Sequence, residues 1–523
     1  MKSNRRNFLQ RNCTAIGTAS LYSTLCTMRM TAGATTNTTG YKALVCLFLN
    51  GGNDSYNMLI PYTGNNNAAG YGGYRDARGG VGTDSSGFKN GGSGLAIDRS
   101  ALLATRLNSV SNQPVDQYSV HPQLPFLAQQ FNNGNLAFVS NVGSLIEPTT
   151  LSSYQQGNAE LPLGLFSHPD HQMHWQTIMP QVRGATPKGW GGRIADIFHQ
   201  AANPSGGVPM NISLAGNNTL QTGFGSAPYV TSPDGPSSLI GYNDSQIKAA
   251  VDSILAPTYP NMFEHTYTYK QKESIANAVI FGNAFDNASL SNSIPNTTTS
   301  NENKTAQQLA GVIRSIKAGK NSLNMKRQMF FVEKGGWDHH NELLDAQGGI
   351  SYANNPALAD GSNGLFYEVN EALEYFWNEL TLEGLQDEVI LFTISDFGRT
   401  LTSNGQGSDH AWGGNAFVMG GGRAPDGPNG EPLGGPLKGG QIYGQYPILD
   451  PNNITLDLDI HLNKARGRIL PTTSADEYLS ELVSWFGVDA AQLEDIFPNC
   501  IKFFNPSSTS YPLGMLDGAP DGN

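Results

Sequence analysis

The chain has 523 residues, of which only 14% are charged, together with 61 glycines and 29 prolines. This composition is typical of a large, loop-rich protein of the extracellular type, and it excludes a coiled coil or a basic nucleic-acid binder. With 43 acidic against 31 basic residues, the formal net charge is −12, which argues against nucleic acids and anionic membrane surfaces as partners.

The N-terminus has the three parts of an export signal in the expected order. Ser3–Leu9 contains a twin-arginine pair, Cys13–Met28 is weakly apolar, and Ala32–Ala34 has the small-x-small pattern of a cleavage site. We therefore predict a signal peptide over residues 1–34, the twin-arginine translocase as a partner during export, and a periplasmic or secreted protein. A chance arginine pair is the alternative. No later apolar run approaches the about 18 residues of a membrane span, so we expect no integral membrane span.

Apolar, β-prone runs then alternate with amphipathic stretches of helical period. This alternation predicts an α/β protein with a mostly parallel sheet and helices on both of its faces. In chain order, the predicted elements are a strand at Lys42–Leu49, a helix at Leu124–Phe131, a strand at Leu136–Ser140, a helix at Trp190–Gln200, a strand at Gln328–Val332, a helix at Leu365–Leu380, strands at Glu388–Ile394 and Ala416–Met419, and a helix at Ala475–Phe486.

The segments between these elements differ in character. Residues 203–245 are rich in Gly, Ser, Asn and Pro, which predicts loops or short edge strands. Residues 245–320 have a helical pattern with a polar break at 287–303, and we interpret them as a helical insertion or cap. The Gly/Pro-rich residues 423–470 are expected to run over the surface. The tail, 511–523, is expected to be disordered.

Two cysteines, Cys46 and Cys500, lie beyond the predicted signal. Cys46 is inside the first predicted strand and is most simply a small, buried apolar residue. A disulfide between the two is the alternative that an oxidising compartment would allow. Because there is no Cys-x-x-Cys pair, no cysteine-based zinc site is predicted.

Four short blocks carry acid or imidazole side chains close to predicted strand ends: Gly51–Asp54, Gly335–His340, Ser395–Arg399 and Ser408–His410. The first three follow the strands that begin near residues 42, 328 and 388. In an open α/β sheet, ligands bind at the carboxyl ends of the strands. We therefore expect these blocks, although distant in sequence, to form one metal centre.

The candidate ligands are Asp54, Asp338, His340, Asp396 and His410. Asp338 and His340 are two residues apart, so in extended chain both can face one ion. Mixed Asp and His ligation suits Zn²⁺, Mn²⁺ or Fe, whereas a carboxylate-dominated set suits Ca²⁺ or Mg²⁺. For any one of these residues the alternative is a helix cap, a turn residue or a solvated loop histidine.

A second histidine-rich segment spans Ser167–His174. His168, His171 and His174 recur every three residues, which indicates either additional metal ligands or a loop that lines the site; a polar surface loop is the alternative. Ser167 is the candidate nucleophile of this segment, since a nearby metal or base could activate its hydroxyl.

Arg399 lies three residues after Asp396. A guanidinium can hold two oxygens of a phosphate or sulfate at once, so Arg399 is a candidate for substrate binding. A surface salt bridge is the alternative. Asp396-Phe397-Gly398 matches the metal-binding triplet of kinases, but no glycine-rich nucleotide loop or catalytic loop accompanies it.

Several blocks together resemble the domain-of-unknown-function 1501 family, among them LFLNGGNDSYNMLIPY, SHPDHQMHWQT, GGWDHH and ISDFGRTLTSNGQGSDHAWGG. The resemblance runs in order from about Lys42 to Phe504. That family is typically exported by the twin-arginine route and is placed beside the alkaline phosphatase and sulfatase superfamily. The resemblance implies a doubly wound α/β fold, with residues 35–510 as a single domain of the alkaline phosphatase or sulfatase type.

The superfamily's functional residues occur in a fixed order, which this chain matches with Asp54, Ser167, Asp338 with His340, Asp396, and His410. Where the superfamily has a histidine after the second aspartate, this chain has Phe397. One ligand is therefore absent or comes from the segment around His168, His171 and His174. No Cys-x-Pro-x-Arg occurs, so the formylglycine nucleophile of true sulfatases cannot form, which favours phosphoester or phosphonate chemistry or a sulfatase with an unmodified nucleophile.

The resemblance thus implies an exported, metal-dependent hydrolase of phosphate or sulfate esters. The five candidate ligands would bind divalent ions (Zn, Ca, Mg or Mn), Ser167 would attack the ester, and Arg399 would hold its non-bridging oxygens. The expected partner is an anionic ester substrate, with a saccharide as one carrier of the ester. The alternative is a non-catalytic, exported metal- or glycan-binding protein on the same scaffold.

Overall fold

The structure is a computed structural model that describes residues 39–517, with the exception of 80–93, 184–187, 204–207, 237–238, 243, 297–301, 342, 344–363, 406, 425, 427–432, 451–455, 459–465 and 509–510. The predicted signal peptide over residues 1–34 lies outside the described residues, as do residues 518–523 of the predicted tail.

The strands within the described residues form one large sheet and two small ones. Numbered in chain order, they are β1 (Lys42–Leu49), β2 (Leu59–Pro61), β3 (Tyr118–Val120), β4 (Leu136–Gly143), β5 (Asn211–Ser213), β6 (Tyr229–Val230), β7 (Arg327–Lys334), β8 (Val389–Ser395), β9 (Gly414–Met419), β10 (Arg423–Ala424), β11 (Leu433–Gly434), β12 (Ile442–Tyr443) and β13 (Thr473–Ser474).

The large sheet has the order β12-β4-β9-β8-β1-β7-β5-β6, and β13 also pairs with β4. Its pairings are parallel except those of β9, which runs antiparallel to both β8 and β4. β2 pairs with β3, and β10 with β11, as separate antiparallel pairs. The prediction of a mostly parallel sheet is confirmed.

β1 lies at the centre of the sheet because nearly every one of its side chains is apolar. Its sequence is KALVCLFL, and all residues after Lys42 are buried. Since successive side chains of a strand point to opposite faces, Val45 and Leu47 join one hydrophobic cluster, whereas Leu44 and Cys46 join a second cluster. A strand buried on both faces is typical of the interior of a parallel sheet.

Helices cover both faces of the sheet, as predicted. The helices of the described residues are α1 (Ser55–Met58), α2 (Tyr71–Ala77), α3 (Pro125–Asn132), α4 (Leu151–Gln155), α5 (His168–Thr177), α6 (Trp190–Ala202), α7 (Ser245–Leu255), α8 (Met262–Asp286), α9 (Lys304–Lys317), α10 (Leu365–Leu382), α11 (Ala475–Phe486) and α12 (Ala490–Ile496). Apolar residues of α3, α9 and α10 pack in the cluster that contains Val45. Those of α5, α6, α11 and α12 pack in the cluster that contains Leu44.

The helical region that was interpreted as an insertion divides into two parts. α7 and α8 are largely exposed, with Met262 and Phe263 at 72% and 79%. α9 differs, because Leu309 and Ile313 are fully buried in the core and the helix packs against β7 and α10. The assignment of α9 to an insertion is therefore wrong, since this helix is part of the layer that covers the sheet.

Two predictions about exposed segments also need correction. Residues 423–470 do not all run over the surface, because Leu437 and Ile469 are fully buried and β12 extends the sheet edge. The tail is ordered over 511–517, where Met515 is fully buried and the carboxylate of Glu481 accepts the backbone N–H groups of residues 513–515. In both segments, a few apolar side chains among many glycines and prolines are enough to dock the chain.

Cys46 and Cys500 are both buried free thiols. Cys46 is fully buried within β1, as predicted for a small apolar residue. The alternative of a disulfide between the two cysteines is not realised.

Candidate metal centre

The three central strands end level with one another. Leu49 at the end of β1 is aligned with Lys334 of β7 and with Ser395 of β8. The segments that follow therefore leave the sheet at the same carboxyl edge. This alignment brings together the acid- and histidine-bearing blocks that the sequence places hundreds of residues apart.

Two glycines allow these segments to pack closely. Gly51 and Gly52 both have positive φ, +120° and +86°. A Cβ atom on Gly51 would lie 2.6 Å from the backbone nitrogen of Asp338, and one on Gly52 would lie 2.8 Å from the ring of Phe397. No larger residue fits in this turn, so the glycines let the exit of β1 touch the exits of β7 and β8.

Four side chains converge at this edge and form what we call the four-residue cluster: His168, Asp338, His340 and His410. Nε2 of His410 lies 2.9 Å from Nε2 of His168 and 2.8 Å from Nε2 of His340. Oδ1 of Asp338 lies 3.2–3.4 Å from all three nitrogens. Ligand atoms about 2.0–2.1 Å from a tetrahedral ion are separated by roughly 3.3 Å, so the spacing fits a single metal ion.

The second ring nitrogen of each histidine fixes which nitrogen faces the cluster. Nδ1 of His168 lies 2.7 Å from Oδ2 of Asp396, and Nδ1 of His410 lies 2.6 Å from the backbone oxygen of Phe166. A carboxylate and a carbonyl can only accept hydrogen bonds, so both Nδ1 atoms must carry the proton. In the neutral rings, Nε2 then presents a lone pair to the cluster.

His340 follows the same pattern. Its Nδ1 lies 3.3 Å from Oδ1 of Asp409, which also accepts a hydrogen bond from Asn404, while Oδ2 of Asp409 pairs with Arg466. Three imidazole lone pairs and a carboxylate oxygen therefore face one point. Such a set repels itself unless a cation lies between its members. The donor set of three nitrogens and one oxygen fits Zn²⁺, Mn²⁺ or Fe²⁺, which accept imidazole and carboxylate ligands.

Arg399 supports Asp338. Its guanidinium is fully buried and donates to Oδ1 of Asp338 at 2.9 Å, and to the side chain and backbone oxygen of Ser408. Burial acts to raise the pKa of Asp338, but the hydrogen bond and charge of Arg399 outweigh it and hold that pKa below its usual value. The structure thus places Arg399 behind a candidate ligand and away from solvent. The predicted direct contact with substrate oxygens is not what this geometry offers.

Asp396 lies behind His168 instead of within the four-residue cluster. Its carboxylate is fully buried, and Oδ2 accepts hydrogen bonds from Nδ1 of His168 and from Gln172, while Oδ1 accepts from the backbone of Gly51. The hydrogen bond with Asp396 raises the pKa of His168 above its usual value. Carboxylates in this position orient metal-bound histidines and make them more basic.

Asp54 is also outside the four-residue cluster. Oδ2 forms a buried ion pair with Arg78 at 2.5 Å, and Arg78 in turn donates to the backbone oxygen of Thr400. The guanidinium supplies the positive charge that a metal would have supplied to this carboxylate. Asp54 was predicted as a ligand because it follows a strand end. Its pairing with Arg78 cannot be inferred from that position in the sequence.

His171 and His174 point away from the four-residue cluster. Both are buried on α5, where His171 interacts with the backbones of Phe166 and Asp396, and His174 with the hydroxyl of Ser144. Burial lowers the pKa of His171 to about 3 and that of His174 to about 4. These two histidines are therefore neutral, and their buried rings pack in the protein interior. Of the three histidines in this segment, the structure brings only His168 to the cluster.

Ser167 is the N-cap residue of α5 and directly precedes His168. Its side chain hydrogen-bonds Asp170, whose pKa is lowered mainly by its hydrogen bond with Arg183. Within the described residues, no hydrogen bond joins the Ser167 hydroxyl to the four-residue cluster.

Phe397 occupies the position where the resemblance predicts a histidine. Its ring lies 4.7 Å from that of His168 and 4.5 Å from that of His410, measured between centroids. It is thus an apolar wall of the four-residue cluster. For Asp409, the sequence contains no signal of a supporting role beyond its position next to His410 in the block Ser408–His410.

The supporting role of Asp396 gives a testable prediction. In an Asp396→Asn variant, we expect the affinity for the bound divalent ion to fall about 10- to 100-fold, because His168 loses the charge that makes it a stronger ligand. Titration against a competing chelator measures this affinity. Asp495→Asn, at an exposed position of α12, is the matched control. Equal affinities in the two variants would show that Asp396 does not act through His168.

None of the helices in the described part of the chain combines the length and the apolar character that crossing a membrane requires.

Comparison with known proteins gives one family and a set of distant solved structures. A family model described as "Protein of unknown function (DUF1501)" matches residues 41–431. No curated protein gives a significant match to the sequence.

Three solved structures of two proteins illustrate the distant similarity. The soluble domain of lipooligosaccharide phosphoethanolamine transferase A from Neisseria meningitidis is 10% identical, with a TM-score of 0.28, covering 73% of this chain and 77% of that one. Ps i-CgsB is 12% identical with a TM-score of 0.27, and the match covers 90% of this chain and 78% of that one. The complex of Ps i-CgsB with k-i-k-neocarrahexaose is 10% identical with a TM-score of 0.24, and the match covers 81% of this chain and 72% of that one.

Proposed function

This chain belongs to the DUF1501 family of proteins of unknown function, and from that premise we propose that it is an exported, metal-dependent hydrolase of phosphate or sulfate esters. The observation that carries the proposal is the convergence of three Nε2 atoms and Oδ1 of Asp338, with each Nδ1 held by an acceptor. The choice of phosphate or sulfate esters comes from the sequence resemblance to the alkaline phosphatase and sulfatase superfamily.

His168, Asp338, His340 and His410 would hold the ion. A bound divalent cation would act as a Lewis acid that polarises the ester and offsets the charge of the transition state. Asp396 and Asp409 would hold two of the rings in place through their Nδ1 protons. The side chain of Asp338 is 47% exposed, whereas Arg399 behind it is fully buried, so the four-residue cluster is open to a substrate on the side of Asp338.

We retain Ser167 as the candidate nucleophile because it is adjacent to His168 in sequence. Asp170, its hydrogen-bond partner, is a poor base, because the hydrogen bond with Arg183 lowers its pKa. A Ser167→Ala variant distinguishes the two routes of hydrolysis. Loss of turnover supports attack by the Ser167 hydroxyl, whereas retained turnover supports direct attack by water.

A second candidate function is a non-catalytic, exported protein that binds a metal or a glycan. One observation favours it: within the described residues, no Ser or Thr hydroxyl hydrogen-bonds to a member of the four-residue cluster. Such a protein would bind the ion with the same stoichiometry but would turn over no ester.

The two functions are separated by one experiment. Protein purified from its full-length precursor is analysed for Zn, Mn, Fe, Ca and Mg, and then assayed with p-nitrophenyl phosphate and p-nitrophenyl sulfate before and after chelation. We expect chelator-sensitive turnover that one metal restores. Bound metal without turnover of either ester supports the binding protein, and absence of both bound metal and turnover contradicts both functions.

Export through the twin-arginine route is part of the proposal and rests on residues 1–34. The mature protein would then be periplasmic or secreted. Cell fractionation of the wild type and of a variant with Arg5→Lys and Arg6→Lys tests it. Unchanged location of the variant would contradict the twin-arginine signal.

A further inference from the structure

A cleft of about 550 Å³ lies beside the four-residue cluster, at the carboxyl ends of β1 and β7. Its volume is within the range of roughly 300–1,000 Å³ that is typical of small-molecule sites. Pro169, which directly follows His168, forms part of the wall. The cleft therefore begins next to the residues that would hold the ion.

Amide side chains dominate the polar part of this wall: Asn50, Gln172, Gln176, Asn217 and Asn218, with Thr219 beside them. A primary amide offers two donors and an acceptor, and a hydroxyl is a donor and an acceptor at once. Amides and hydroxyls are thus well matched to a ligand that carries several hydroxyl groups.

The amides nearest the four-residue cluster are held in fixed positions. Gln172 donates both to Oδ1 of Asn50 at 2.8 Å and to Oδ2 of Asp396 at 3.0 Å. Asn50 in turn donates to Oε1 of Glu333 at 2.8 Å. Because Asp396 also holds His168, one chain of hydrogen bonds connects the cleft wall with a candidate metal ligand. A wall organised in advance loses little conformational entropy on binding.

Other polar groups of the wall have capacity for a ligand. Asn217 is exposed, and within the described residues its side chain makes no hydrogen bond. In the part of the chain that the structure describes, the hydroxyl of Thr219 forms one hydrogen bond, a weak one to the sulfur of Met173 at 3.7 Å. Gln176 uses its oxygen to accept from the backbones of Thr219 and Leu220, which leaves its amide protons for a ligand.

The charge of the cleft excludes an anionic occupant. Among the described residues that line it, Glu333 is the only charged one. A second phosphate or sulfate would meet a carboxylate and no cation. The apolar part of the wall, which includes Phe48, Phe331 and Met173, suits the C–H faces of a sugar ring, but the many amides disfavour a purely apolar group.

We propose that this cleft binds the alcohol part of the substrate, and that this part is an uncharged, polyhydroxylated group such as a sugar. This inference rests on the proposed hydrolysis, in which the ester group is at the four-residue cluster and the leaving alcohol extends along α5 into the cleft.

A double variant, Asn217→Ala with Thr219→Val, tests the inference because neither residue belongs to the proposed catalytic machinery. We compare kcat/KM for hexose 6-phosphates and 6-sulfates with that for p-nitrophenyl phosphate and sulfate. Loss of one or two hydrogen bonds should lower kcat/KM for the sugar esters about tenfold, with the p-nitrophenyl esters changed by less than about twofold. Asn66→Ala, at an exposed loop position, is the control.

Binding without turnover provides an independent measurement. Saturation-transfer NMR with neutral glucose, galactose and mannose disaccharides should detect binding to the metal-loaded wild type and weaker binding to the double variant. Turnover of no ester, with saccharide binding intact, would contradict the proposed function but support the cleft. An equal effect of the variant on both ester classes, or no saccharide binding, would overturn the inference.

Discussion

Replacing His410 by alanine is expected to remove the bound divalent ion and almost all ester turnover. Nε2 of His410 lies within 3 Å of the Nε2 atoms of His168 and His340, so its loss opens the centre of the four-residue cluster. Metal catalysis contributes several kcal/mol to such reactions, which corresponds to a fall in kcat/KM of about a thousandfold or more.

Elemental analysis of the purified variant measures the first effect, and the p-nitrophenyl assays measure the second. His265→Ala is the matched control, since His265 is an exposed histidine on α8. Thermal unfolding in excess chelator separates metal loss from misfolding, because the wild type and the variant should then unfold at similar temperatures. In excess metal at about 100 Kd, only the wild type and the control should gain roughly 2.7 kcal/mol of stability. A His410→Ala protein with full metal content would contradict the proposed centre.

The second large effect is expected at Arg78. In an Arg78→Met variant, the buried carboxylate of Asp54 loses its partner while remaining buried, with 2% exposure. Removing one member of a buried ion pair typically costs about 3–5 kcal/mol, because the remaining charge is left uncompensated. We therefore expect a large decrease in the free energy of unfolding, measured by chemical denaturation or as a lower Tm.

The matched comparison is the double variant Arg78→Met with Asp54→Asn, in which no charge is left unpaired, so most of the stability should return.

The single variant Asp54→Asn tests whether Asp54 binds the metal. Since Asp54 is not in the four-residue cluster, we expect unchanged metal content in that variant. A loss of metal there would restore Asp54 to the role of a ligand that its strand-end position first indicated.

Much of the fold could be predicted from local sequence. β1 is continuously apolar and Ala475–Phe486 has a regular apolar stripe, so both were predicted with the observed bounds. Other strands were predicted within a few residues, as with Leu136–Ser140 against the observed Leu136–Gly143. The side chains of these elements are themselves buried in the core, so the spacing of their apolar residues in the sequence indicates which faces are buried.

α5 was missed because its stability comes from tertiary contacts. The sequence HPDHQMHWQT has no apolar stripe, so no helix was predicted there, and the segment was interpreted as additional metal ligands or as a loop that lines the site. In the structure, His171, His174 and Trp175 are buried against the ends of the central strands. Histidine counts as polar in a pattern, yet a neutral histidine with its ring nitrogens paired packs like an aromatic residue.

Only part of the candidate site could be predicted, because the sequence indicates where a residue lies in the sheet but not which side chain it contacts. The strand-end position correctly placed Asp338, His340 and His410 at one edge, because this follows from the topology of a parallel sheet. Sequence position does not report hydrogen-bond partners. Whether Asp54 and Asp396 face an ion, a guanidinium or an imidazole depends on Arg78 and His168, which are far from them in sequence.

The direction of β9 has a consequence for how the centre assembles. Because β9 returns antiparallel beside β8, the connection between them, residues 396–413, leaves and re-enters the sheet at the same edge. A parallel neighbour would instead have needed a crossover to the opposite edge. One loop between two paired strands thus carries His410 together with its supporting residues Asp396 and Arg399. His168, and Asp338 with His340, come from two other parts of the chain, so an ion held by all four side chains would connect three segments that are remote in sequence.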